Sequence, residues 1–342
     1  MDINAIVLAA GKGTRMNSDE PKCAHYIIDK TMVEYVVDSL IAAKIKEIIT
    51  VVGYRREVIE NILRGKSKFA YQEEQLGTAH AVLMAEEHLK GKEGLTLIAI
   101  GDMPFITKNT YSNLIASHIQ SGSDLTILTT EHPNPYGYGR IIRDENEEVL
   151  EIVEEKDCTK KQRAITEINA SIYVVDNLKL FEMIHEIKSN NNQHEYYLTD
   201  IVKIFKQRGF RVSGYKTSDY NEISGVNDKI QLMEMEEVLR NKIIRKHLAN
   251  GVTIHSPQTV VIGPGVKLEP GVIIRPGSII VENSEIKKNA IIGPYTEIKS
   301  SVVHQNAAVK FSRIKNSVIA ENTNIGPYID MVDNEIINNK RE

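Results

Sequence analysis

Residues 5–22 read AIVLAAGKGTRMNSDEPK. Ala5 to Ala10 make an apolar run of a length that suits a buried strand. The run breaks into Gly11-Lys12-Gly13-Thr14-Arg15, and Pro21-Lys22 follows. A strand that empties into a glycine-rich turn lets bare backbone approach a ligand closely. Successive N–H groups in such a turn form an anion-binding concavity. Lys12, Arg15 and Lys22 set three cations around it. The stretch is therefore read as a loop that holds a polyphosphate. It is neither Walker A, which needs G-x-x-x-x-G-K-[ST], nor a Rossmann fingerprint, because no third glycine follows at the required offset. A lone G-x-G would be read as a turn with solvated cations. Arg15 and Pro21-Lys22 at these offsets favour the phosphate loop.

Working outward, strand and helix patterns alternate. Strands are expected at 3–10, within 45–53, at 69–72 and at 95–104. Helices are expected at 32–44, 56–65 and 78–89. This rhythm implies an α/β fold, a Rossmann-like domain with a mixed, mostly parallel sheet and helices on both faces. Ligands of such sheets lie beyond the carboxyl ends of the strands. The 11–15 loop and Asp102 both follow strand ends and can share one crevice. Strands then crowd residues 124–176, and helices are expected over 196–207 and 228–248.

Past Gly251 the helical period vanishes. Ile262, Leu268, Ile274, Ile280, Ile286, Ile292 and Ile298 recur every six residues. Small or β-branched residues run in parallel through Val266, Val272, Ser278, Ser284, Ala290, Thr296, Val302 and Ala308. A hexapeptide period signals a parallel β-helix. The repeat loses phase after Ile298, where His304 and Lys310 fall in the aliphatic slots, and resumes out of phase at Ile319, Ile325 and Met331. The expected division is an α/β domain at 1–227, a linker helix at 228–250, a short β-helix at 251–331 and a polar tail at 332–342. A short solenoid with exposed ends gains from self-association.

The 342 residues have room for about two domains. A hydrophobic fraction of 42% with 26% charged residues is that of an ordinary globular chain. A net charge of −4 argues against nucleic-acid binding, whose footprint is a basic excess. No run of 18 apolar residues exists and no basic n-region precedes Ala5, so neither a membrane span nor a signal peptide is expected. A cytoplasmic protein follows from that reading. Cys23 and Cys158, without metal or disulfide spacing, read as packed thiols. The scattered histidines, among them His80, His185, His194, His255 and His304, read as packing or surface groups.

The stretches LAAGKGTRM, EPK, YQEEQLGTAHAV, GDMPFIT, YGYGRIIRD, IVEEKD, EINASIY, EYYLTD and GVND together resemble the bacterial GlmU family. In that family an N-acetylglucosamine-1-phosphate uridylyltransferase is fused to a glucosamine-1-phosphate acetyltransferase. The resemblance runs from Ala5 to about Pro327. It implies a left-handed β-helix, a homotrimer through that helix, and a role in cell-wall precursor synthesis. It implies that UTP and N-acetylglucosamine-1-phosphate are joined with release of pyrophosphate. It further implies that the backbone of Leu8, Ala9, Ala10, Gly11 and Gly13 lines the nucleotide site. Gln72 would read the uracil edge with the Gly77 backbone and Thr78. Asp102 and Asn227 would hold Mg²⁺, oxygen ligands of the kind that ion prefers. Gly139, Glu154 and Asn169 would bind the amino sugar. Arg15 would stabilise the leaving pyrophosphate and Lys22 the reacting phosphates.

Read without the resemblance, Asp102 also fits a helix cap, Asn227-Asp228 an N-cap pair, and Glu154 part of a solvated acidic run. The chain departs from the family pattern at Ile100, where Tyr is frequent, at Ala170-Ser171, where Thr-Gly is usual, and at Tyr136, where Thr is common. Acetyl transfer is expected to be absent, since the residues that carry it in the family lie on later coils. A related enzyme for another sugar or nucleotide, and a non-catalytic nucleotide-sugar-binding scaffold, remain the alternative readings.

Overall fold

The computed structural model describes residues 1–336. The chain divides into two compact units, Met1–His25 with Thr31–Lys229, and Tyr26–Lys30 with the segment from Ile230 onward.

The first unit is built on β1 (Ile3–Leu8), α1 (Met32–Ala42), β2 (Glu47–Val52), α2 (Arg56–Ile62), β3 (Lys68–Tyr71), α3 (Thr78–Met84) and β4 (Leu95–Ile100). It continues with α4 (Lys108–Ser121), β5 (Leu125–Glu131), β6 (Arg140–Arg143), β7 (Val149–Val153), β8 (Glu167–Asp176), α5 (Asn177–Met183), α6 (Asp200–Gln207) and β9 (Val212–Thr217). The sheet runs β9-β5-β8-β4-β1-β2-β3, with β6 paired to β8 and to β7. Along the main path most pairs are parallel; β8 runs antiparallel to β4, β5 and β6, and β6 antiparallel to β7. Alternation along β1 sends Ala5 and Val7 into one apolar cluster and Ile6 into another, so both faces of the sheet are covered. α1 starts on a capping box, with the Thr31 amide donating to Glu34 at 2.9 Å.

The helix expected over 78–89 is two pieces, Thr78–Met84 and Glu86–Leu89, and the one expected at 196 begins at Asp200. α4 and β9 were not expected. α4 buries only Thr110, Tyr111, Leu114, Ile115 and His118 on a narrow stripe. β9 reads VSGYKT and buries little beyond Val212, as an edge strand does.

In the second unit, three parallel ladders climb through strand sets such as 254, 274, 292, 309 and 325, as a left-handed parallel β-helix requires. The aliphatic series holds through Ile298, but His304 and Lys310 do not take the next slots. They are exposed, and Val303, Val309 and Ile314 fill the core. Ile286 pairs with Val303 and Ile298 with Ile314, so these coils are a residue or two shorter than the pair Ile280 and Ile298 sets. Each shortened turn keeps the ladder in register and shifts the sequence period. The buried small positions shift with it, to Ser301, Ala307, Ser312 and Ser317, while Val302 and Ala308 are only half-buried. Serine suits these slots because its hydroxyl serves two coils. Ser301 Oγ donates to the Lys299 carbonyl at 2.7 Å and accepts from the Ser317 amide at 3.0 Å.

The helix Lys229–Ala249 is more than a linker, since Ile243 and Ile244 join the coil core with Leu239 against it. Glu335–Ile336 folds back antiparallel on Met331 and Val332. The remainder of the expected polar tail, 337–342, lies outside the described residues. No helix among the described residues is long and apolar enough to cross a membrane.

Ile314→Ala is expected to cost about 2–4 kcal/mol of stability, the range for emptying a buried aliphatic slot. His304→Ala and Lys310→Ala are expected to change it by less than about 0.5 kcal/mol, as exposed substitutions do. Urea titration of the full chain distinguishes this register from the six-residue extrapolation, which places the loss at the other two positions.

Candidate active site

Leu8 pairs with Ile100 in the parallel β1–β4 ladder, so the segments leaving both strands emerge side by side. The Gly101 amide donates to the Leu8 carbonyl at 2.9 Å and fastens the two exits. The Val226 amide donates to the Asp102 carbonyl at 3.1 Å, which brings Asn227 to the same place. Lys22 then sits between two oxygens. Its Nζ donates to Asp102 Oδ2 and, at 2.9 Å, to Asn227 Oδ1. Arg15 Nη2 donates to that same Asn227 oxygen at 2.9 Å. Gly13 makes this convergence possible. It holds φ 68°, and a Cβ there would lie 2.6 Å from Lys22 Cβ. Lys12 is directed elsewhere, with its ammonium 5.1 Å from the Tyr54 ring centroid.

An open cavity of about 530 Å³ extends from this cluster. Its walls include Leu8, Ala9, Ala10, Gly11 and Gly13, with Gln72, Gly77 and Thr78; Arg15, Lys22 and Asp102 also line it. Gln72 is buried, and its Nε2 donates to the Gly77 carbonyl at 3.2 Å and meets His80 Nδ1 at 3.0 Å. Thr78 Oγ1 accepts from the Leu198 amide at 2.9 Å.

Gly139, Glu154 and Asn169 form a second group. A Cβ on Gly139 would stand 3.5 Å from Glu154 Oε1 and 3.6 Å from Asn169 Cβ. The Asn169 amide donates to the Gly139 carbonyl at 2.9 Å. The β6–β7 hairpin holds Gly139 and Glu154 together, and a buried ion pair, Arg140 to Glu155 at 2.7 Å, pins its end. Burial pushes the Glu154 carboxyl above its ordinary range, helped by the charges of Asp157 and Asp200. Asn169 Nδ2 donates to the Tyr173 hydroxyl at 2.9 Å, and its Oδ1 accepts from the Ser171 amide at 2.9 Å.

Ser171 connects the two groups, since it lines the cavity and touches Asn169. It lies where the β8–β5 ladder slips between Asn169 and Tyr173, and its φ is 54°. Gln75, whose Nε2 donates to the Ala10 carbonyl at 2.8 Å, and Glu195 also line the cavity. Sequence reading passed over both. The run YQEEQLG offers two glutamines, and only the fold shows that both face the ligand side. His80 was read as packing or surface, and it orients Gln72.

Two oxygens are suited to a metal. Among the described residues Asp102 Oδ1 is buried with no hydrogen-bond partner, and Asn227 presents its amide oxygen beside it. No group of three or more His, Cys, Asp or Glu suited to a metal occurs among the described residues. Two protein oxygens are the small set with which Mg²⁺ is held when phosphates complete its octahedron.

Cys23 follows Lys22 and is buried against Gly101 and Ala9. Burial, with the Asp102 charge, pushes its thiol up to about 12. A raised thiol value means that the neutral form persists through pH 9. The folded chain is therefore expected to resist iodoacetamide at Cys23 at pH 8, with labelling appearing once urea unfolds it. Rapid labelling of the native protein at that position, read by peptide mass spectrometry, contradicts this burial.

The sequence profile of the nucleotidyl transferase family matches residues 4–220. The chain is 43% identical over 314 residues to a "Bifunctional protein GlmU" of Staphylococcus haemolyticus, covering 92% of this chain and 70% of that protein. It is 47% identical over 264 residues to the protein of that name from Streptococcus agalactiae, with coverage of 77% and 58%. A Streptococcus thermophilus relative is 42% identical over 311 residues, with coverage of 91% and 68%. The matches thus span between 58% and 70% of these relatives' length.

Proposed function

The chain belongs to the nucleotidyl transferase family, and from that premise we propose that it joins UTP to N-acetylglucosamine-1-phosphate, giving UDP-N-acetylglucosamine and pyrophosphate. One observation carries the reading. An arginine from the glycine turn and the lysine after Pro21 meet a carboxylate and an amide oxygen beside a cavity that a buried glutamine also lines. We read the first group as the phosphate end and Gln72 as the base end of one pocket.

In the proposed reaction an oxygen of the sugar phosphate attacks the α-phosphorus of UTP. A new P–O bond forms as the bond to the β-phosphate oxygen breaks, and pyrophosphate departs with the electron pair. A phosphate monoester is already a nucleophile, so the protein supplies no covalent intermediate and no general base. Its work is positioning and charge neutralisation. Lys22 shifts its donors from Asp102 and Asn227 to the reacting phosphates. The Arg15 guanidinium offers a planar fork to the oxygens of the leaving pyrophosphate. Asp102 and Asn227 would hold Mg²⁺, which neutralises and aligns the nucleotide phosphates when bound.

At the base end, Gln72 commits its Nε2 to Gly77 and His80. Its carbonyl oxygen then accepts the N3–H of uracil, a donor that cytosine lacks. Gly139, Glu154 and Asn169 receive the sugar hydroxyls. The uridylyl transfer is proposed to act in cytoplasmic supply of cell-wall precursors. Assembly as a homotrimer through the coils is part of the proposal. Exposed Tyr295, Phe311 and Tyr328 support it, their rings set 6.0 and 6.2 Å apart along one corner of the solenoid.

Pyrophosphate release from UTP, Mg²⁺ and N-acetylglucosamine-1-phosphate tests the reaction. It is expected to stop with EDTA, and kcat/KM with CTP is expected to fall well below that with UTP. Arg15→Ala and Lys22→Ala are each expected to lower turnover by about 10²–10³-fold, the loss typical of removing one charge-stabilising donor. A near-wild-type rate in either variant removes that residue from the mechanism. Absence of pyrophosphate release by a folded, UTP-binding protein overturns the sugar assignment.

A further inference from the structure

We propose that Ser171, opposed by Ile100, selects the sugar substituent next to the anomeric phosphate. The inference rests on the sugar-phosphate reading above and names which part of the sugar is read.

The two residues come from neighbouring antiparallel strands, β4 and β8. Their last ladder pair toward the cavity is Ile98 with Tyr173. Ile100 and Ser171 each stand two residues beyond that pair, one on each strand, and both line the cavity. Together they form a lip with one apolar and one hydroxyl-bearing side.

Ser171 occupies this lip in the left-handed region, at φ 54°. A non-glycine residue is disfavoured there, and asparagine or glycine would take the conformation more readily. The strain is held in place by the ladder slip between Asn169 and Tyr173 and by the amide bond to Asn169 Oδ1. That bond uses the Ser171 backbone. Among the described residues the hydroxyl itself makes no hydrogen bond. A strained residue whose side chain serves no neighbour, at the edge of a cavity, has the features of a group kept for a ligand.

Position then decides which part of the ligand it meets. On one side lies Asp102, where the phosphate is bound. On the other lies Asn169, in the sugar group with Gly139 and Glu154. A sugar 1-phosphate that spans these two groups passes the lip with its anomeric carbon and the neighbouring C2. The C2 substituent is where hexosamine and hexose phosphates differ. The hydroxyl of Ser171 can accept from an amide N–H at C2 or donate to a carbonyl there. Ile100 meets an apolar acyl group and offers nothing to a charged amine.

Steady-state turnover with α-hexose 1-phosphates that differ only at C2, bearing hydroxyl, amino or acetamido groups, tests the proposal in wild type, Ser171→Ala and Ser171→Gly. Ser171→Ala retains the strained backbone and removes the hydroxyl. It is expected to compress the kcat/KM ratio between the acetamido and hydroxyl sugars by about fivefold, the scale of one neutral hydrogen bond. Ser171→Gly is expected to compress it as much while raising the melting temperature, because the strain is released. A calorimetric titration with the sugar phosphates alone is expected to show the same loss of discrimination. Ratios unchanged within twofold in both variants, alongside normal wild-type turnover, overturn the role of Ser171 and leave the reaction standing. A wild type that turns over none of the three sugars overturns the underlying reading as well, so the two failures are distinguishable.

Discussion

The parallel register that sets Leu8 beside Ile100 is the constraint on which the site depends. Two parallel neighbours necessarily end on the same edge of a sheet, so whatever follows them is delivered to one place. Here a glycine turn follows one strand and Gly101-Asp102 the other. The third contributor, Asn227, is more than a hundred residues away in sequence. A backbone hydrogen bond from Val226 to the Asp102 carbonyl helps bring it to the site. Slippage of β1 against β4 by one residue would turn every side chain of β1 to the opposite face and separate the cations from the carboxylate.

Charge explains why this convergence is tolerated. Lys22 and Arg15 close together would repel, but an Asp102 carboxylate and an Asn227 oxygen lie between them. The cluster holds its donors in place, so on the proposed reading they need little rearrangement when phosphates replace the protein oxygens. Preorganised donors of this kind are the largest source of transition-state stabilisation in phosphoryl transfer. The geometry also explains Gly13, since any side chain there would collide with the stem of the lysine that the turn exists to present.

How far the chain could be read from sequence followed the range of the interactions. The β1 run, the glycine turn and the strand before Asp102 are local patterns and were legible. The hexapeptide series was equally plain through Ile298. It misled beyond that point because a fixed six-residue count cannot see shortened turns. The ladder keeps spatial register, and the sequence shifts to Val303, Val309 and Ile314 to follow it. β9 and α4 escaped because an edge strand and a weakly apolar helix leave little periodic signal. Gln75, Glu195 and the orienting contact of His80 to Gln72 depend on tertiary convergence, which one sequence does not display. Ala170-Ser171 was visible as a departure from the family pattern, but its backbone consequence was not. Only the fold shows a serine at positive φ inside a strand.

On the proposed reading, that serine separates the reacting groups from the groups that select the sugar. The phosphate cluster stands on the ends of β1 and β4, where register leaves no freedom. The sugar group stands on β6, β7 and the bulged part of β8, where the ladder to β5 has already slipped. A bulge unpairs residues and re-aims their side chains without disturbing the pairs on either side. Beyond the bulge, Tyr173, Val174, Val175 and Asp176 still hold β4 in its place beside β1. Residues within the bulge can therefore change what the site accepts while the reacting groups remain where they are.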